Sequence, residues 1–145
     1  MGAVENVDAV RRLEIAYGAR NYEVVRAILA EDVVCHTPGS EMMQPGVEGC
    51  IAANEGGFMS FPDKSSEVLD AFGEGDRVVS RVRMTGTNQG GLPWAGVPAN
   101  GNAVDVEWIQ VSRHEDDGRI AETWAQMDVP KMMVQLGAMP APEGM

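Results

Sequence analysis

Residues 103–128 constrain this chain more than any other stretch: two runs rich in Val, Ile and Trp flank a polar cluster that closes on Gly118. Apolar, β-branched runs joined by a short Gly-bearing link specify a β-hairpin, which we expect to be the central pair of a sheet. In the first run Trp108, Gln110 and Ser112 alternate with Glu107, Ile109 and Val111; in the second, Thr123, Ala125 and Met127 alternate with Glu122, Trp124 and Gln126. Successive strand residues point to opposite sides, so each strand carries two chemically different faces. A short helix is predicted directly after it, with Asp128 as cap, Pro130 in the first turn and Gly137 as terminator.

With 145 residues the chain reads as one domain over 1–145, large enough to bury a core. A net charge of -11 excludes a nucleic-acid or anionic-membrane surface, which needs clustered Lys and Arg to neutralise phosphate. The two cysteines, Cys35 and Cys50, have no zinc-site spacing and read as buried thiols. No apolar stretch approaches the about 20 residues of a membrane span, and the N-terminus lacks a basic region followed by an apolar run. A cytoplasmic protein is expected.

Taken in order, Asn6 or Asp8 can cap a first helix that carries Val10, Leu13 and Tyr17 on one face and breaks at Gly18. Asn21 caps a second, with a stripe of Val24, Val25, Ile28 and Leu29. Val33–His36 is a short strand stopped by Pro38-Gly39, and residues 47–60 form a third helix weakened by Gly56-Gly57. Strands over Ser66–Phe72 and Arg77–Thr87 then lead into the hairpin as a meander. Between them lies a long Gly/Pro-rich loop, residues 88–101, with Trp94 at its middle. Such a loop suits a lid at a pocket mouth, placing Trp94 or Leu92 over a ligand. Helices followed by a strand meander give an α+β class.

In their order and spacing, His36-Thr-Pro, Gly46-x-x-Gly49, Phe61-Pro62-Asp63, Gly75-Asp76-Arg77-Val78, Gly86-Thr87, Gly96-Val97-Pro98, Asp117-Gly118-Arg119-Ile120, Trp124 with Asp128, and Gln135-Leu136-Gly137 resemble the SnoaL-like proteins. These are the polyketide-cyclase branch of the nuclear-transport-factor-like cone fold. The resemblance implies a cone-shaped, curved, mostly antiparallel sheet wrapped around three N-terminal helices, with a short C-terminal helix, an internal apolar pocket and commonly a homodimer. Cyclases of the family use a pocket Asp on the last strand, helped by a His on the strand before. Those positions correspond here to Ala125 and Gln110. The related limonene-epoxide hydrolases carry a second Asp three residues on, and that one is retained as Asp128.

Gln110 can bond a developing oxyanion but cannot remove a proton from carbon, and it can equally be a satisfied structural amide. Ala125 leaves space where a carboxylate would stand. Asp128 is a helix cap or a group at the pocket mouth, and His36 is a titratable catalytic candidate or a strand-end side chain bonded to backbone. His114 reads as a solvated turn residue. Arg81 can bind a ligand carboxylate or pair with one of the many acids. By strand parity Trp108 lines the pocket, and Met127, among ten methionines, contributes to an adaptable apolar lining.

No GxSxG, GxxxxGK[ST], dinucleotide-glycine or HExxH motif occurs, and no cofactor or metal is implied. Two readings follow. One is a cofactor-free enzyme performing ring closure or isomerisation of a hydrophobic carbonyl compound, with an epoxide-hydrolase-like enzyme with a relocated site as a variant. The other is a non-catalytic carrier of a hydrophobic ligand. An ionisable group within reach of the pocket separates them.

Overall fold

The hairpin forms as its alternation requires. In the computed structural model, which describes residues 2–143, β4 (Ala103–His114) runs antiparallel to β5 (Ile120–Met127), with Gln110 opposite Ala125 and Trp108 opposite Met127. On the other side of β4 lies β3 (Arg77–Thr87), followed by β2 (Ser65–Glu74), both antiparallel. β1 (Leu29–His36) closes the sheet by pairing parallel to β5, giving the order β1-β5-β4-β3-β2. The sheet is mixed and curled but not closed.

Three helices fill its concave side: α1 (Ala3–Ala19), α2 (Tyr22–Ile28) and α3 (Gly46–Ser60). Val10, Leu13 and Ala16 of α1, Val25 and Ile28 of α2, and Val47 and Ile51 of α3 bury a common core against Val78 and Ile120 of the sheet. Each position falls on one face of its helix at a period near 3.6, and the burial of those faces holds the helices to the sheet. A second cluster sits at the other end, where Leu136 and Met132 of α4 (Val129–Gln135) meet Phe61, Leu92, Val97, Val104 and Val106. Asp128 caps α4, its Oδ1 accepting from the Lys131 N–H at 3.0 Å.

Local expectations shift in four places. α1 starts at Ala3, so Asn6 is a buried helix residue and not a cap, and the helix passes Gly18 to end at Arg20 in the left-handed conformation (φ 54). β1 begins at Leu29, ahead of the expected Val33, because α2 stops after seven residues. α3 tolerates Gly56-Gly57, while its essential glycine is Gly49: a Cβ there would lie 1.6 Å from the Gln44 carbonyl oxygen. His114 is not a solvated turn residue. Its position continues the inward alternation of Ser112, leaving it 3% exposed with Nε2 at 2.9 Å from the Ser112 hydroxyl and Nδ1 at 3.0 Å from the Gly118 carbonyl.

Candidate functional site

Between the helices and the concave sheet face lies a cavity of about 310 Å³. Its sheet wall is the inward row of the hairpin, Trp108, Gln110, Ala125 and Met127, as strand parity predicts. Its helical wall is a stripe of α1, Glu14, Tyr17 and Gly18, at spacings that put them on one face. Cys35 of β1, Cys50 and Asn54 of α3, and Lys64 complete the polar lining.

Glu14 is the carboxyl at this wall. Burial disfavours its charged form and raises its pKa from 4.5 to about 7, with the Lys64 ammonium opposing the rise. Among the described residues no hydrogen bond or ion pair engages its carboxyl. Lys64 donates to Asn54 Oδ1 at 2.9 Å and lies 4.6 Å from the centroid of the Phe58 ring, and burial lowers its pKa. The amide of Asn54 in turn donates to the Tyr17 carbonyl and the Tyr22 hydroxyl, each at 3.0 Å, which fixes where the Lys64 charge sits relative to α1. The Tyr17 phenol is pushed well above its ordinary value, first by burial, and stays protonated. No hydrogen bond engages the Gln110 amide among the described residues, and Ala125 opposite it presents only a methyl group.

The other residues singled out from sequence lie elsewhere. His36 points outward: β1 alternation turns Cys35 into the cavity and His36 away from it, where its ring stacks on Trp124 (centroids 5.5 Å) and Nε2 meets Glu122 Oε2 at 2.7 Å. Arg81 is on the convex face, bridging Asp70 and Glu107 at 2.7 and 2.6 Å. With Asp128 it borders a separate open depression beside Ile109 and Gln126. Trp94 is 59% exposed on the 88–101 loop, while Leu92 is buried in the second core cluster. No described residue of that loop lines the cavity, so the expected lid is instead a packing segment. Asn88 ties it down, completely buried, donating to the Pro98 carbonyl and Asn100 Oδ1 and accepting from the Gly91 N–H.

Sequence reasoning missed Glu14 and Cys35. Glu14 follows Leu13 and precedes Tyr17 by three residues, so it lies on the edge of the apolar stripe. Cys35 shares the parity of buried Val33. Both signals are local and were legible.

A sequence model of the SnoaL-like polyketide cyclases matches residues 7–136. The chain belongs to this SnoaL-like family. Among solved structures, IdmH from Streptomyces antibioticus, a proposed polyketide cyclase, is similar to this SnoaL-like chain at 31% identity, covering 91% of it and 98% of its own length, with a TM-score of 0.77. A proposed SnoaL-like polyketide cyclase from Jannaschia sp. CCS1 is 30% identical, with 95% of each chain covered and a TM-score of 0.78. TsrD from Streptomyces laurentii is 26% identical, covering 96% of this chain and 99% of its own, with a TM-score of 0.84. A search of curated proteins gave no match. The α+β architecture with its curled, open sheet is that of the nuclear-transport-factor-like cone fold. Among the described residues no helix is long and apolar enough to cross a membrane.

Proposed function

We propose that this SnoaL-like protein is an enzyme that closes a ring in, or isomerises, a hydrophobic carbonyl compound, with Glu14 as its acid/base. The observation that carries this reading is an unpaired carboxyl at the cavity wall whose pKa is raised to about 7. A base poised near neutrality is what proton abstraction beside a carbonyl requires. The family's strand carboxylate is absent at Ala125, and Glu14 supplies equivalent chemistry from the helical side.

In this mechanism the substrate's apolar body lies along Trp108 and Met127, with its carbonyl oxygen toward Gln110. Glu14 takes a proton from the carbon next to the carbonyl, and the Gln110 amide N–H donates to the enolate oxygen as charge develops there. The enolate carbon attacks a second carbonyl of the folded substrate for ring closure, and the Glu14 carboxylic acid returns its proton to the new alkoxide. For isomerisation the proton goes back to a different carbon. Holding the reactive conformer accounts for part of the acceleration.

A carrier role is the second reading, favoured by the pairing of Gln110 with Ala125, which leaves no proton-transfer group on the hairpin wall. A direct test follows hydrogen-deuterium exchange at the acidic carbon of an aryl-substituted 1,3-diketone by NMR. Wild-type protein should accelerate exchange, Glu14→Gln should abolish the acceleration, and Gln110→Ala should reduce it by about 10- to 1,000-fold. Equal rates for wild type and Glu14→Gln would leave the carrier reading.

A further inference from the structure

Cys35 on β1 and Cys50 on α3 both line the cavity, and their Sγ atoms meet at 3.2 Å. Both are free thiols. A disulfide needs sulfurs about 2.05 Å apart, so the two atoms have only about 1.2 Å left to close. We propose that Cys35 and Cys50 form a reversible redox site in the cavity wall, a dithiol that a small peroxide converts into an intrachain disulfide.

The chemistry balances with one peroxide. The Cys35 thiolate attacks one peroxide oxygen, the O–O bond breaks, and the departing hydroxide is protonated to water, leaving a sulfenic acid on Cys35. The Cys50 sulfur then attacks the Cys35 sulfur and the S–O bond breaks. The leaving hydroxide takes the Cys50 proton as a second water. Two thiols lose two electrons, and one peroxide becomes two waters.

The two sulfurs are unequal in the way this sequence of steps needs. Cys35, the less buried of the two, is held below the usual thiol range, first by the hydrogen bond from Cys50, with the Thr123 hydroxyl and the His36 charge assisting against burial. Cys50 is pushed up, first by the same contact with Cys35 and then by burial, and so stays a thiol while Cys35 reacts. Both residues line the cavity, which is the route for hydrogen peroxide. The acid/base chemistry assigned to Glu14 uses neither sulfur, so this site stands apart from that reading. The bond would close a segment whose ends are 15 residues apart and would pin β1 to α3 across the cavity.

The test treats the reduced full-length chain with hydrogen peroxide, alkylates remaining thiols and weighs the protein. Oxidised wild type should lose the mass of two hydrogens and take up no alkyl group. After cleavage at Glu41 or Glu48 by a Glu-specific protease, its Cys35 and Cys50 fragments should stay joined until dithiothreitol is added. Its Tm should rise by a few degrees and return on reduction. Cys50→Ser should stop at a dimedone-reactive sulfenic acid on Cys35, and Cys35→Ser should leave Cys50 unreacted. Sulfinic acid on Cys35 without a cross-link, a bond between two chains, or two thiols that remain alkylatable would overturn the proposal.

Discussion

Gln110 and Ala125 are direct cross-strand partners, and both turn into the same cavity. Replacing Ala125 by Asp therefore sets a carboxyl beside an amide inside a partly apolar space. Burial should raise its pKa above the ordinary carboxylate range, and the substitution should cost about 1 to 3 kcal/mol unless Gln110 hydrogen-bonds it. An NMR titration of the variant with a parallel denaturant melt measures both. An ordinary pKa with unchanged stability would show that position 125 is open to bulk water.

Glu14→Gln should stabilise the protein while removing its activity. The folded-state pKa is raised from 4.5 to about 7, so ionisation opposes folding. The penalty is absent below the unfolded pKa, grows between 4.5 and about 7, and is complete above that. At pH 8 the variant should therefore exceed wild type by on the order of 3 kcal/mol, and at pH 4 the two should coincide. Urea melts across this range check the sign, and a constant difference at every pH would contradict it.

Asn88→Ala should separate packing from gating. Removing the side chain leaves the Gly91 N–H and the Pro98 carbonyl without their partner, and the loss of these hydrogen bonds should cost on the order of 2 to 4 kcal/mol. Exchange of the 1,3-diketone should be unaffected at temperatures where the variant is folded. A change in the exchange rate with unchanged stability would restore a lid role to the 88–101 loop.

On the convex face, His36, Trp124, Val111, Val79 and Phe72 form one cross-strand row spanning all five strands. Phe72 is 64% exposed, and neighbouring Ile109 is 54% exposed. Such an apolar rib is costly to leave in water, and we expect a second copy to cover it. Sedimentation should give a homodimer for wild type and a monomer for the Phe72→Asp, Ile109→Asp double variant. A wild-type monomer at micromolar concentration would remove the argument.

What could be read from the chain depended on how far each signal reaches. The hairpin was legible to the side chain, because a period of two over Trp108–Ser112 and Thr123–Met127 needs only neighbours to interpret. The inward placement of His114 followed from the same alternation but was obscured by the acidic residues beside it. His36 drew attention by its chemistry, while parity assigns the cavity to Cys35. Glu14 has a position on α1 that sequence gives and a pKa that it cannot, since the burial around it comes from segments that only the fold packs against α1. The β1–β5 pairing was invisible, because it joins segments as distant as His36 and Glu122.

That parallel pairing also orders the birth of the protein on the ribosome. β1 emerges well before its partner, since among the described residues the one strand it joins spans Ile120–Met127. Contacts so distant along the chain form late, so the first strand must wait, unpaired, until β5 has been translated. The wall carrying Cys35 is then among the last parts of the molecule to be put in place, and a nascent chain stalled before β5 has helices and a meander but no closed binding chamber.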